Sequence, residues 1–397
     1  MIKILLLDSV SGIVYTVELD NSNHQFPVYP ENESTGDLIM KIKTLLRNIF
    51  LASAAVLFFP AGLLAAEAES LELFAMDTYM TFTAYGEDAG TALAESQAEI
   101  GRLDALLAAQ NADSEVAGLN RNGGGEASED TLYLVKRAKE LREETGGAFD
   151  IAIYPVIEAW GFPSHEYTIP EDTLLQQELP LADSSLISVD GDEIHFGKEG
   201  MKIELGAIAK GYASQRISEI FADHEVTGII SLGGNVQSSG KKPDHTSWKV
   251  GIRMPGAKDA ESGVSWLSED SRNVQAGLAA GLLGIVSSHD EAVITSGVYE
   301  RYFVKDGKLY HHILDPWTGY PVDNGLVSVT VICPDGTTAD GLATALFVMG
   351  KEGAEEFWRN GPESFDMILL EEDGTLSVTE GIEDRFQSPM EYEIITK

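Results

Sequence analysis

The order of the elements predicts an α+β fold with mainly antiparallel sheet, and three observations carry that prediction. Strand-forming runs come in close pairs joined by turn dipeptides, helical periodicity is confined to a few separated segments, and strand-helix-strand alternation never recurs at regular spacing. A doubly wound parallel sheet is therefore disfavoured. Of the 397 residues, 44% are hydrophobic and 8% aromatic, which is enough to bury a substantial core.

The first element, LELFAMDTYMTFTAY over 71–85, is rich in aromatics and Thr and reads as a strand or hairpin. Over 89–109, Leu93, Ile100, Leu103, Leu106 and Leu107 recur at helical spacing and mark one buried face. A second helix is expected over about 130–145, with Ser128 as its cap, Glu129 and Asp130 at its positive end, and Gly146-Gly147 stopping it. Residues 185–205 alternate around Asp190-Gly191 and Glu199-Gly200, which read as hairpin turns, and a helix begins near Ala207. Strands follow over 226–232, 247–253, 292–296, 299–305, 308–314 and 326–333, with Asp306-Gly307 as a tight turn, and then helices over 338–350 and 351–360. Residues 256–283 hold Gly, Ser, Ala and acidic residues without periodicity and read as a loop insertion in a single domain, 69–397.

Ahead of that domain, residues 40–68 combine Lys41, Lys43 and Arg47 with an uncharged run from Asn48 to Ala66 and a small-residue close. This is signal-peptide architecture, with cleavage expected near Ala66 or Ala68 and a retained membrane anchor as the alternative. The expected location is exported: periplasmic, or on the outer face of the cytoplasmic membrane. Residues 1–39 precede the signal and are expected to be an upstream start-site artefact. Lys and Arg number 27 against 64 Asp and Glu, a net charge of −37; residues 1–66 carry 4 of the basic and 6 of the acidic side chains, so −35 remains without them. Such a surface repels polyanions, which argues against nucleic acid and makes any bound nucleotide depend on local Mg²⁺, Lys or helix N-termini. The only cysteine, Cys333, excludes an intrachain disulfide, a Cys-based zinc site and a lipobox.

Several clusters could carry chemistry. In Glu204-Leu205-Gly206-Ala207-Ile208-Ala209-Lys210, glycine opens a helix whose N–H groups attract phosphate while Lys210 adds charge; the plainer reading is a tight turn. In TTADGLATA over 337–345, Asp340 and Thr344 stand four apart on one helix face, so their oxygens converge as the sparse hard donor pair that suits Mg²⁺ and a substrate phosphate. There the plainer reading is an Asp that merely stabilises the helix start. In YHHILDPWTGYP over 310–321, His311 and His312 are adjacent on a strand and point to opposite faces, so at most one is catalytic and the other packs or is solvated. Glycines in SLGGN (231–235) and ITSGVYERYF (294–303) permit close backbone approach to a ligand.

Taken in order, AMDTYM, FDIAIYPVIEAWGF, ELGAIAKGYA, SLGGN, ITSGVYERYF, HHILDPWTGYPV and TTADGLATALFVMG resemble the ApbE family of FAD:protein FMN transferases. The resemblance implies an ApbE-like, T-fold-related architecture. It implies that Asp340, Thr344 and the main-chain oxygen of Ala207 hold Mg²⁺ against the FAD pyrophosphate. It further implies that Met76, Ala152, Ile153, Tyr154, Glu204, Lys210 and Ile313 line the FAD site, with His312 as the acid/base group. Three positions depart from the family pattern: Glu204 where Asp is usual, Tyr154 where Gly is common, and Gln110 near a frequent aromatic.

The implied reaction is attack of a Thr or Ser hydroxyl of an acceptor flavoprotein on the FMN-side phosphorus of FAD, releasing AMP. Two alternatives stay open at this point: an FAD pyrophosphatase that uses water, and an exported flavin-binding protein without turnover.

Overall fold

In the computed structural model of the chain, the described residues are 68–256, 263–267 and 274–397, together with the backbone of 2–7 and 14–19. The two backbone segments, β1 (Ile2–Leu7) and β2 (Val14–Leu19), pair antiparallel. The remainder of 1–67, which contains the charged and apolar run of the expected signal, lies outside the described residues. No described helix is long and apolar enough to cross a membrane.

The domain opens on the expected hairpin, β3 (Ala68–Ala75) and β4 (Thr78–Tyr85). There follow α1 (Ala89–Leu107), α2 (Glu115–Asn122), β5 (Gly124–Glu126), α3 (Glu129–Glu144), a 3₁₀ turn at Ile151–Ile153, α4 (Tyr154–Ala159), α5 (Asp172–Glu178), β6 (Ile187–Asp190), β7 (Glu193–Phe196) and α6 (Gly206–Asp223). The second half runs β8 (Thr227–Leu232), β9 (Asn235–Ser239), β10 (Trp248–Arg253), α7 (Val274–Ala280), β11 (Leu282–Ser288), β12 (Ala292–Gly297), β13 (Tyr302–Lys305), β14 (Lys308–His311), β15 (Leu326–Cys333) and α8 (Gly336–Asn360). The chain closes with β16 (Asp366–Glu371), β17 (Leu376–Thr379), β18 (Phe386–Gln387) and β19 (Glu393–Ile395).

One large sheet organises the domain, in the order β19-β17-β16-β15-β12-β9-β8-β4-β3, and only its β17–β19 pair is parallel. The α+β, mainly antiparallel expectation therefore holds. Every residue of β15 is buried, as suits a central strand covered on both faces, and its β-branched run LVSVTVIC supplies the side chains for that place. Helices α6 and α8 pack together and against β9, β12 and β15. Along β4, Met80 and Phe82 are fully buried in the main core, while Thr81 and Thr83 line a cavity of about 130 Å³ that also borders β10.

Local signals explain most boundaries. The Ser128 side chain accepts from Thr131 N–H and starts α3, which ends just before Gly146 (φ 62°) and Gly147 (φ 95°). Gly350, at φ 76°, breaks α8 into the two helices expected there, and Asn324 Nδ2 donates to the Phe347 carbonyl (2.7 Å) beside the break.

Elsewhere the structure corrects the reading. Asp190-Gly191 turns the β6–β7 hairpin, but no strand follows Glu199-Gly200. The reason is that 203–204 finds its hydrogen bonds off the sheet: Asn120 bonds Ile203 N–H (2.7 Å) and carbonyl (2.9 Å), and Glu204 N–H donates to the Ile151 carbonyl (2.9 Å). The strand expected over 299–305 begins only at Tyr302, and that expected over 308–314 ends at His311. Within 256–283, residues 274–280 are the helix α7 and Leu282 opens β11, so the loop reading fails there; 257–262 and 268–273 lie outside the described residues.

Candidate active site

The site is built where two helices touch through glycine. A Cβ added to Gly211 on α6 would stand 2.1 Å from the Gly336 carbonyl oxygen and 2.6 Å from Asp340 Cβ. Only glycine permits that approach. It brings the first turn of α6, with Ala207, beside the first turns of α8, with Asp340 and Thr344. Asp340 is 4% exposed; its Oδ2 accepts from Gly211 N–H (2.8 Å) and its Oδ1 from Asn235 Nδ2 (3.0 Å). Gly211 is the residue that in a regular helix would donate to the carbonyl of Ala207. Thr344 Oγ1 lies one turn on from Asp340, 3.4 Å from Ser296 Oγ.

The helix-start reading of Asp340 fails, because the cap of α8 is Asp335, whose Oδ1 accepts from Thr338 N–H (2.6 Å). Asp340 makes no ion pair among the described residues, so a buried carboxylate stands there with two neutral donors and no cation. No three His, Cys, Asp or Glu side chains gather as a metal cluster among the described residues. A cation at this place would be held by carboxylate, hydroxyl and carbonyl oxygens, which fits Mg²⁺ and does not fit a soft metal.

Glu204 stands just before α6 and its Oε1 accepts from Gly206 N–H (2.6 Å). Burial pushes its carboxyl up against the opposing pull of that N–H, Arg301 and Lys210, and the Asp340 charge adds to the rise. Lys210 Nζ donates to the Gly206 carbonyl (3.1 Å), which holds its charge over the helix start. Arg301 and Lys210 act electrostatically on both Glu204 and His312, which places these four groups near one another.

The two histidines differ in what holds them. His311 is 4% exposed; its Nε2 donates to the Val322 carbonyl (2.9 Å) and its Nδ1 accepts from Ile313 N–H (3.3 Å), so both nitrogens are spent on structure. Burial brings it down to about 4. For His312, the Arg301 carbonyl accepts from the backbone N–H (3.0 Å) and lies 3.1 Å from Nδ1. A carbonyl only accepts, so Nδ1 carries the proton and Nε2 keeps a free lone pair. Burial first, then the Arg301 and His311 charges, hold His312 down at about 3, as a neutral base.

Met76 and Asp77 form the two-residue turn between β3 and β4, at φ 48° and 57°. A primed turn needs positive φ at both places and normally takes Asn or Gly; here each costs on the order of 1 kcal/mol or more. Met76 N–H donates to Asp104 Oδ1 (3.0 Å) and Asp77 pairs with Arg301 (2.9 Å), which hold the strained turn. On the other side, Asp150 fixes the segment 151–154. It accepts from Ala152 N–H (2.9 Å) and Ser184 N–H (3.1 Å to Oδ1, 3.0 Å to Oδ2), and it pairs with Arg142 (2.6 Å). Ala152 is buried, Ile153 half-buried, and Tyr154 is buried with its hydroxyl pushed up to about 12 by burial and the Glu158 and Glu204 charges. Two of the departures, Gln110 and Tyr154, line one cavity of about 200 Å³ with Asn120 and Lys202. Ile313 is buried beside His311.

Sequence reasoning missed Asn235, Ser296, Asp77 and Arg301 as site residues. For the first two a signal existed: each is a polar side chain directly beside glycine, in SLGGN and ITSG, the clusters already marked for close backbone approach. Cys333 plays no part; it is buried in β15 and burial pushes its thiol up to about 11.

A model of the ApbE family matches residues 76–369. A Klebsiella pneumoniae protein named FAD:protein FMN transferase is 34% identical over 259 residues, 64% of this chain and 74% of that protein. A Treponema pallidum protein of the same name is 31% identical over 299 residues, 70% of this chain and 77% of that one. The crystal structure of the ApbE protein from Thermotoga maritima superposes with a TM-score of 0.70 at 31% identity, covering 80% of this chain and 99% of the other. That of the flavinyl transferase ApbE from Pseudomonas stutzeri, apo form, gives 0.68 at 25% identity, covering 82% and 98%. The family match spans the hairpin turn at Met76, the α6–α8 contact and the His312 strand end alike, and the chain belongs to the ApbE family.

Proposed function

We propose that this chain transfers FMN from FAD to a threonine or serine hydroxyl of an acceptor flavoprotein, releasing AMP, with Mg²⁺ held by Asp340, Thr344 and the Ala207 carbonyl. The observation that carries the reading is the buried, cation-free carboxylate of Asp340 set beside Thr344 and the first turn of α6. The names of the relatives, FAD:protein FMN transferase, supply the substrate class.

In this reading Met76, Ala152, Ile153, Tyr154, Glu204, Lys210 and Ile313 bind and orient FAD. When bound, Mg²⁺ supplies charge neutralisation at the pyrophosphate. His312 Nε2 takes the proton of the acceptor hydroxyl as its oxygen bonds the FMN-side phosphorus. The bond from that phosphorus to the bridging oxygen breaks, and AMP leaves with the oxygen. Export of the domain is part of the proposal, supported by the charge and apolar pattern of 40–68. N-terminal sequencing of the protein from cells is expected to begin near Glu67 or Glu69, and an intact 1–39 on an exported protein would refute it.

The test of the transfer is AMP release from FAD and Mg²⁺, with and without exported flavoprotein domains of the same cell, alongside the acceptor's mass. Transfer predicts AMP release that rises with acceptor, and a mass gain that a Thr→Ala change at the acceptor's flavin site removes. Equal AMP release throughout, with free FMN as the other product, would make the protein an FAD pyrophosphatase.

A further inference from the structure

We propose that Arg301, anchored by Asp77, is a positioning residue that fixes His312 as a base and ties it to the turn carrying Met76. The inference rests on the reading of His312 as the group that takes the acceptor's proton.

Three contacts form one chain across the site. The Arg301 carbonyl receives both the backbone N–H (3.0 Å) and the Nδ1–H of His312 (3.1 Å), so the imidazole is held in a single tautomer. The Arg301 guanidinium pairs with Asp77 at 2.9 Å. Asp77 sits in the positive-φ turn next to Met76, whose own N–H is fixed by Asp104 (3.0 Å). Stability does not explain the pair: the side chains are 48% and 44% exposed, and ion pairs so placed add little to a fold. Position explains it better. Asp77 lies in β-turn backbone that costs free energy to maintain, and the segment 299–301 reaches the site without joining a strand.

Arg301 also places a cation near the imidazole, and the charged groups that act on His312 are Arg301, His311 and Lys210. All three oppose its protonation. Removing one should let it protonate at a higher pH, so the acid limb of the rate profile should move upward.

The experiment compares Arg301→Gln, Arg301→Lys, Asp77→Asn and His312→Gln in the full chain, with FAD, Mg²⁺ and an acceptor domain. The readouts are kcat and KM for FAD from pH 3 to 8, a range that takes in the acid limb expected of a base held down at about 3, and melting temperature. Arg301→Gln is expected to lower kcat roughly tenfold, with KM within about twofold and an unchanged melt. Its acid limb should move up by about 0.5–1 pH unit. Arg301→Lys should keep the limb near the parent's, and Asp77→Asn, which removes an anion and leaves the Arg301 cation, should lower kcat without moving the limb upward. A parent-like kcat and profile in Arg301→Gln overturns the proposal, and so does a change confined to KM, which would make Arg301 a substrate-binding group. His312→Gln separates the two readings. If it is inactive while Arg301→Gln is parent-like, only the positioning role falls; if it keeps the parent rate, the base assignment falls and takes the positioning role with it.

Discussion

Replacing Asp340 tests the site most sharply, provided loss of fold is kept apart from loss of charge. In Asp340→Ala two donors, Gly211 N–H and Asn235 Nδ2, lose their acceptor inside a 4%-exposed position. Each orphaned donor costs about 1–3 kcal/mol, so the variant is expected to lose several kcal/mol of stability. That is well above the 0.3–1 kcal/mol that a helix-start charge would contribute, because Asp335 is the cap and Asp340 bridges α6, α8 and β9. Asp340→Asn is the cleaner change. Its carbonyl oxygen can keep the Gly211 N–H, and Asn235 can turn its amide to accept from the new NH₂, so the melt should stay within about 1 kcal/mol of the parent. Only the negative charge is gone. Losing charge stabilisation of about 3–4 kcal/mol would slow AMP release by a few hundredfold to a thousandfold. Mg²⁺ at a hundred times its Kd should raise the parent's stability by about 2.7 kcal/mol and leave Asp340→Asn unmoved. Thermal melts with and without Mg²⁺, beside AMP release from FAD, read both quantities. A variant that consumes FAD at the parent rate, or a parent whose melt ignores Mg²⁺, would refute the metal assignment.

The helix contact can be tested through Gly211→Ala, whose methyl would meet the Gly336 carbonyl at 2.1 Å with backbone on both sides. We expect a loss of about 1–3 kcal/mol or more and at least a tenfold fall in turnover, since α6 and α8 must separate. Gly101→Ala on α1, where nothing lies within 4 Å, is the control and should gain about 0.5–1 kcal/mol; equal effects on melt and rate in the two variants would contradict the packing argument. His311, buried neutral with a folded value of about 4, should make stability fall with acid. Its folded value lies below its unfolded one, so its contribution is whole above about pH 6.5 and is lost as pH falls toward 4, on the order of 3 kcal/mol in all. Melts of the parent and His311→Gln across pH 4–7 should therefore converge in acid, and parallel curves would show that His311 is not the linked group.

Much of this was legible in the chain because it rests on local rules. The Ser128 cap, the Asp306-Gly307 turn, the buried stripe of α1 and the apolar run of β15 each follow from a few neighbouring residues. Strands β9, β11, β16 and β17 and helices α2 and α5 carry weaker patterns and are additions to the predicted set. Strand β9 shows why. Its sequence NVQSS is polar, yet Asn235, Gln237, Ser238 and Ser239 are buried, and partners far along the chain satisfy two of them: Asn235 Nδ2 donates to Asp340 Oδ1 (3.0 Å), and Ser238 Oγ meets Ser288 Oγ (2.7 Å) and the Glu291 carbonyl (3.0 Å). Periodicity cannot announce a strand whose polar groups are satisfied only in the folded state.

The site divides along the same line. His311 and His312 could be told apart in principle, since adjacent strand residues face opposite ways, but which of them packs was fixed only by the Val322 and Arg301 carbonyls, 11 residues away in sequence from each. Asp340 and Thr344 announce themselves by spacing on one helix, yet the same spacing fits a helix-start Asp, and no local residue decides between the two. What decides is a contact between α6 and α8. Gly206 in ELGAIAKGYA reads as a turn or a helix opening, and no local signal marks Gly211 or Gly336 for contact. In the fold Gly211 and Gly336 are two halves of one backbone contact, and the Gly211 N–H is one of the two groups that fix Asp340. The carboxylate is therefore positioned by main chain on one side and by Asn235 on the other, with no side-chain cation to neutralise it. A buried carboxylate held by two neutral donors and no side-chain cation costs stability, and in the proposed reading a bound cation would offset that cost, whereas Asp150 is already neutralised by Arg142 at 2.6 Å.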